Sequence, residues 1–112
     1  MAVRLDKPWQ PLNAGAIALI AGHLGVYQLA DAAGEIVYIG VADARSLFGP
    51  KGELQKVMTD PPAGATQFRV EVNMAYRTRH VELLQAYWSD HDALPKANTD
   101  VDTRSLGRLR PG

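Results

Sequence analysis

Hydrophobic residues recur along the chain with two different periods, and each period predicts an element. Phe68, Val70 and Val72 alternate with Arg69, Glu71 and Asn73, the two-residue repeat of a strand with one face in the core and the other turned to solvent or ligand. Ile17, Ile20, Ala21 and Leu24 follow helical spacing behind Asn13, a residue suited to capping a helix start, and Gly22 is a plausible stop. Residues 26–30 and 36–39 are apolar runs on either side of a turn-rich segment over 31–35 that contains Gly34, which predicts a hairpin. After a loop over 41–52 punctuated by Gly49, Pro50 and Gly52, the stripe Leu54, Val57 and Met58 predicts a short helix that Pro61, Pro62 and Gly64 end. Thr78 is placed to cap a longer helix, whose buried face is Val81, Leu83, Leu84, Tyr87 and Trp88. On that helix Glu82 lies beside Ala86 and Ser89, away from the apolar stripe. A loop through Leu94 and Pro95 leads to Asn98, and the polar residues 99–112 are expected to form a flexible tail.

These elements predict one α+β domain over 1–112, a small three-stranded antiparallel sheet flanked by helices, with its core in residues 13–98. Composition agrees: 112 residues, 46% hydrophobic and 21% charged, leave room for one core and no second full domain. The absence of cysteine excludes a disulfide framework, a thiol nucleophile and thiolate metal sites. Residues 14–30 are too interrupted by Gly15, Gly22, His23 and Gly25 for a membrane span, and residues 1–10 show no apolar signal segment, so a cytoplasmic protein without a membrane partner is expected. Twelve Lys+Arg balance twelve Asp+Glu, so any surface that displaces counterions from phosphates must be local. Arg69, Arg77 and Arg79 form the clearest basic cluster and are the candidate nucleic-acid contacts. No nucleotide-binding glycine loop, serine-hydrolase motif or zinc spacing is present. His80, two residues before Glu82, reads as a surface or packing histidine, because positions i and i+2 of a helix face different ways.

Gly25-Val26-Tyr27 opens the first hairpin strand and Tyr38-Ile39-Gly40 closes the second, with ten residues between the tyrosines. Either triplet alone is a weak pattern. Together, each on its own strand, they resemble the GIY-YIG nuclease superfamily, and the resemblance extends to Glu82 on the last helix and to Asn98 beyond it. It covers roughly residues 13–98 and implies a metal-dependent endonuclease-like domain that hydrolyses nucleic-acid phosphodiester bonds, most naturally in DNA. The resemblance further implies catalytic roles for Tyr27, Tyr38, Arg45 and Glu82, with Glu82 as ligand of Mg²⁺ or Mn²⁺ and Gly25, Gly40 and Asn98 as structural motif residues. Where the family places its arginine, this chain has Phe48, and Arg45 is the nearest candidate. The second basic residue expected on the helix after the hairpin is missing.

The chemistry is coherent, since phosphodiester hydrolysis needs an activated water, a cation on the phosphate oxygens and stabilisation of the leaving oxygen. A carboxylate offers the hard oxygen that Mg²⁺ or Mn²⁺ prefers, with water and substrate phosphate completing the shell. A tyrosine near pKa 10 needs a nearby cation to accept a proton at neutral pH. Each residue also has a plainer reading: tyrosines pack on strands, Glu82 is a solvated carboxylate, Arg45 is a loop arginine and Asn98 caps a turn. These readings lead to the alternative, a catalytically degenerate module of the same fold that binds nucleic acid or a protein partner. In the nuclease reading a neutral chain is expected to rely on a protein partner for substrate specificity.

Overall fold

The turn chemistry between residues 31 and 35 sets the register on which the rest of the domain is built. In the computed structural model, which describes residues 5, 7–20, 24–42 and 49–98, the Asp31 carboxylate accepts hydrogen bonds from the Ala33 and Glu35 amides, both at 3.0 Å. Gly34 adopts φ +86°, a conformation that glycine takes without strain. The turn joins β2 (Gly25–Ala30) to β3 (Ile36–Ala42), and their antiparallel register sets Tyr27 opposite Gly40 and Leu29 opposite Tyr38. On its other side β2 pairs antiparallel with β4 (Gln67–Val72). All six residues of β2 are buried, as befits a strand hydrogen-bonded along both edges.

The sheet has four strands, ordered β1-β4-β2-β3, where three were expected. The addition is the two-residue β1 (Gln10–Pro11), paired with Phe68 and Gln67. So short a strand, containing a proline with no N–H to donate, has no periodicity of its own and is created by its partner's register.

Helices cover both faces. On one, α1 (Ala14–Ile17) and α2 (Gly49–Thr59) bring Ile17 and Leu54 onto Tyr27, Leu29, Val37 and Phe68. On the other, α3 (Tyr76–His91) packs Leu83, Leu84 and Tyr87 on Val26, Ile39 and Leu5. Each fully buried leucine or isoleucine contributes about 1.5–3 kcal/mol of burial energy, so a single-layer sheet gains two cores from opposite sides of β2.

Several boundaries differ from expectation. The Asn13 side chain caps α1 by accepting from the Ala16 amide at 2.8 Å, but the α-helix ends at Ile17 and Ile20 packs from beyond it; Ala21 to His23 lie outside the described residues. The expected loop over 41–52 is narrower, because β3 runs on to Ala42 and α2 already starts at Gly49, where Pro50 suits a first helical turn. Helix α3 starts at Tyr76, two residues before Thr78. Its entry is made instead by Asn73, whose side chain accepts from the Ala75 amide at 2.8 Å. The anticipated tail, 99–112, lies outside the described residues. Among those described, no helix is long and apolar enough to cross a membrane.

Candidate functional site

The register of the hairpin brings the two motif tyrosines together. Tyr27 is 3% exposed and Tyr38 is half-buried; their ring centroids lie 5.9 Å apart at a 41° tilt. Gly40 lies beneath both, and a Cβ there would overlap Cζ and Oη of Tyr27 and Cε2 of Tyr38. Gly25 is small for a different reason: a Cβ at that position would run into the Glu71 carbonyl oxygen and crowd the Val72 backbone. One glycine therefore admits two side chains, and the other lets β4 approach β2.

Asn98 is buried and does more than cap a turn. Its amide N–H does bond the Pro95 carbonyl at 2.9 Å, but its side chain also pairs with the backbone of Ile39. Oδ1 accepts from the Ile39 N–H at 2.8 Å, and Nδ2 donates to the Ile39 carbonyl at 2.9 Å. With the Ala97 amide bonded to the Val37 carbonyl at 2.9 Å, the segment after α3 closes the outer edge of β3. The same Ile39 carbonyl lies 3.1 Å from Nε2 of His80; a carbonyl only accepts, so Nε2 carries the proton. His80 is thus a packing histidine.

Glu82 belongs to a different neighbourhood, on the α3 side of the sheet. The alternation of β4 points Arg69 and Glu71 toward α3, where both stay half-buried. Arg79, 6% exposed, grips Glu71 with two bonds, Nε to Oε2 at 2.8 Å and Nη2 to Oε1 at 3.2 Å. Its third nitrogen, Nη1, bonds Oε1 of Glu82 at 3.2 Å. Asn73 donates to Oε2 of Glu71 at 3.0 Å. Burial alone would raise the Glu71 carboxyl, but hydrogen bonds from Arg79 and Asn73 and the charges of Arg79 and Lys7 outweigh it and leave the group below its ordinary value. The Glu71 hydrogen bond raises Arg79 above an already high value, against desolvation.

The three candidate nucleic-acid arginines separate. Arg79 is committed to the two carboxylates. Arg69 is half-buried, bonded through Nε to Gln28 Oε1 at 2.7 Å and stacked 4.1 Å above the Trp9 ring. Arg77 is exposed beside Tyr76 and shares an open groove of about 490 Å³ with Thr78, Val81, Glu82 and Gln85. The structure therefore gathers the expected residues into two groups, Tyr27, Tyr38 and Gly40 on the α1/α2 face and Glu82 with Arg77 along α3. No described contact joins the groups, and Arg45 lies outside the described residues.

Glu71 and Gln28 are polar residues that sequence reasoning missed. The alternation of β4 placed Glu71 on a polar face, but nothing in spacing ties it to Arg79. The Arg79–Glu82 contact, at i and i+3 of one helix, is the part that spacing does signal.

A divalent ion would meet a sparse donor set here. Among the described residues no three His, Cys, Asp or Glu side chains gather to form a cage. Glu82 is a single carboxylate, 47% exposed, with Oε1 bonded to Arg79 and Arg77 in the same groove.

Residues 3–90 match the family described as a domain of unknown function (DUF7508), and since this span is most of the chain, the protein belongs to that family. No curated protein and no solved structure matches it.

Proposed function

We propose that the domain is a cytoplasmic, divalent-metal-dependent phosphodiesterase of endonuclease type that acts on nucleic acid, with DNA as its first candidate substrate. The observation that carries the reading is the tyrosine pair seated on Gly40, which supports the resemblance to the GIY-YIG superfamily. Glu82 supports it by presenting a half-exposed carboxylate in the same groove as the exposed Arg77, so that one oxygen faces a region where a phosphate meets a cation. Glu82 would hold Mg²⁺ or Mn²⁺, which supplies charge neutralisation at the phosphate and an acidified water. Arg77 would orient the substrate backbone; Tyr27 and Tyr38, on the opposite face of the sheet, are the proton acceptors that the resemblance implies. Arg45 is the remaining candidate for stabilising charge on the phosphate. A protein partner supplies substrate specificity that a chain of zero net charge does not.

A second reading is favoured by one observation: the tyrosines and Glu82 belong to opposite faces of the sheet, with Glu82 engaged by Arg79. In that reading the motif residues are architecture and the domain is a degenerate module binding nucleic acid or a protein. Cleavage of single-stranded, duplex and branched DNA and RNA with Mg²⁺ or Mn²⁺ decides between them. The nuclease reading expects metal-dependent cutting that both Glu82→Ala and Tyr27→Phe abolish. Binding without cutting by the wild-type protein favours the module, and cutting that survives Glu82→Ala removes Glu82 from the site.

A further inference from the structure

The two outer edges of the sheet are finished differently. In an antiparallel sheet a strand turns the N–H and C=O of successive residues alternately to its two neighbours. Ala97 and Asn98 bond Val37 and Ile39 from outside β3, and the Leu24 carbonyl accepts from the Asn73 amide at 3.0 Å. Carried through the registers of β2 with β3 and β4, both observations turn the backbone groups of Phe68, Val70 and Val72 away from β2. Phe68 faces Gln10 of β1. The antiparallel line of β1, continued past Gln10, sets Pro8 opposite Val70, and proline has no N–H to offer. Among the described residues no backbone hydrogen bond reaches Val70 or Val72 from this side.

A groove of about 400 Å³ follows this open edge. Leu19, Ile20 and Val72 make its α1 side apolar, and Lys7 and Arg69 line the other side; no carboxylate is among the described residues around it. Leu19 and Val72 are 86% and 55% exposed, two of the three large hydrophobic residues that stay exposed among those described. An open β edge beside exposed apolar side chains is what strand addition uses, the backbone supplying affinity and alternate side chains specificity. Glu71, the acid nearest along the strand, is held by Arg79 and Asn73.

We propose that this edge of β4 docks an extended peptide of a partner protein, added antiparallel along Val70 and Val72. Its apolar residues lie on the α1 side and alternate with acidic residues on the Lys7 side. Charge selects the occupant, because the groove offers cations and no acid. A second copy of β4 fits poorly. Centred on Val70, its own Val72 falls opposite Phe68, a place that Gln10 holds; centred on Glu71, it sets two Glu71 carboxylates side by side. The residue opposite Val70 in an antiparallel pair shares its face and exchanges both backbone bonds with it, so the apolar residues of the peptide make the bonds. This goes beyond the phosphodiesterase reading, holds whether or not the domain cuts, and gives the expected protein partner a place to dock.

The probe is the acetylated and amidated peptide Val-Asp-Val-Asp-Val, titrated into the full wild-type chain with the amide signals of Val70 and Val72 as the readout. Saturable shifts of both are expected, with none from Val-Lys-Val-Lys-Val at the same concentrations. N-methylation of the valines should abolish the shifts, since their N–H groups are the donors to β4, whereas N-methylation of the aspartates should preserve them. Lys7→Glu, a change at an exposed position, should weaken the acidic peptide about two- to fivefold, the worth of an exposed ion pair, with the thermal midpoint as control for folding. Absence of shifts, binding that survives methylation of the valines, equal binding of the lysine peptide, or wild-type affinity in folded Lys7→Glu each overturns the proposal. Shifts of the same amides that follow protein concentration without peptide give the edge to a second copy and also overturn it. Should the variant not fold, the peptides on the wild type decide alone.

Discussion

On the α1/α2 face of the sheet, Tyr27 and Tyr38 close over a glycine, and their arrangement is decided by shape. On the α3 face, Glu71, Arg79 and Glu82 are arranged by charge, through a fork whose three nitrogens each have a carboxylate partner. Both sets depend on β2, which fixes Gly40 opposite Tyr27 on one side and Glu71 opposite Val26 on the other. The difference concerns how each breaks. A steric arrangement resists changes of pH and salt but yields to one added methyl; an electrostatic one tolerates small changes of volume but fails when a partner or a proton is changed.

The largest expected effect is therefore on the charged side. Arg79→Met strands the Glu71 carboxylate under α3 and should destabilise the domain by about 3 kcal/mol, the lower end for a broken buried pair because Glu71 keeps some exposure. Urea unfolding measures it; a loss under 1 kcal/mol would mean that water solvates Glu71 freely. Next comes the shape side. Gly40→Ala should cost about 1–3 kcal/mol of overpacking and shift the ring signals of both tyrosines while leaving those around Arg79 in place. Changes at Arg79 would show that the two faces are coupled through β2.

Acid separates the faces with a smaller effect. Because the folded Glu71 value is lowered from its ordinary 4.5, the stability it contributes is present above about pH 4.5 and is lost as pH falls through the lowered value. Glu71→Gln should flatten that slope, whereas Tyr38→Phe should leave it unchanged. The smallest effect belongs to Glu82→Gln. Its bond to Arg79 is that of a half-exposed pair, worth about 0–1 kcal/mol, so unfolding should move little even where function is lost.

The comparison also separates what was legible in the sequence from what was not. Local chemistry was readable: Asn13 as a cap, residues 31–35 as the hairpin turn, the alternation of β4, and Leu83, Leu84 and Tyr87 as the buried side of α3. Contacts between distant residues were not. β1 exists because Gln67 and Phe68 offer an edge, and no pattern within Gln10 and Pro11 announces it. The polar side of β4 has the alternation of a solvent-facing strand, since period two distinguishes the faces of a strand without saying what covers each. Of the candidate site, the family resemblance of two triplets singled out Tyr27, Tyr38 and Gly40, but not the packing of both rings on that glycine. The commitment of Arg79 to Glu71 did not, because arginine on a helix reads the same whether it faces phosphate or a neighbouring carboxylate.

The seal on β3 has a consequence for how copies of the chain meet one another. The span matched to the family ends at residue 90, whereas the bonds that occupy the outer side of Val37 and Ile39 come from Ala97 and Asn98. A chain trimmed to the matched span would turn an open β edge to water, the surface on which strands of separate molecules add to each other. The short segment after α3 thus acts as a guard against self-association, and a boundary drawn by similarity alone would remove it.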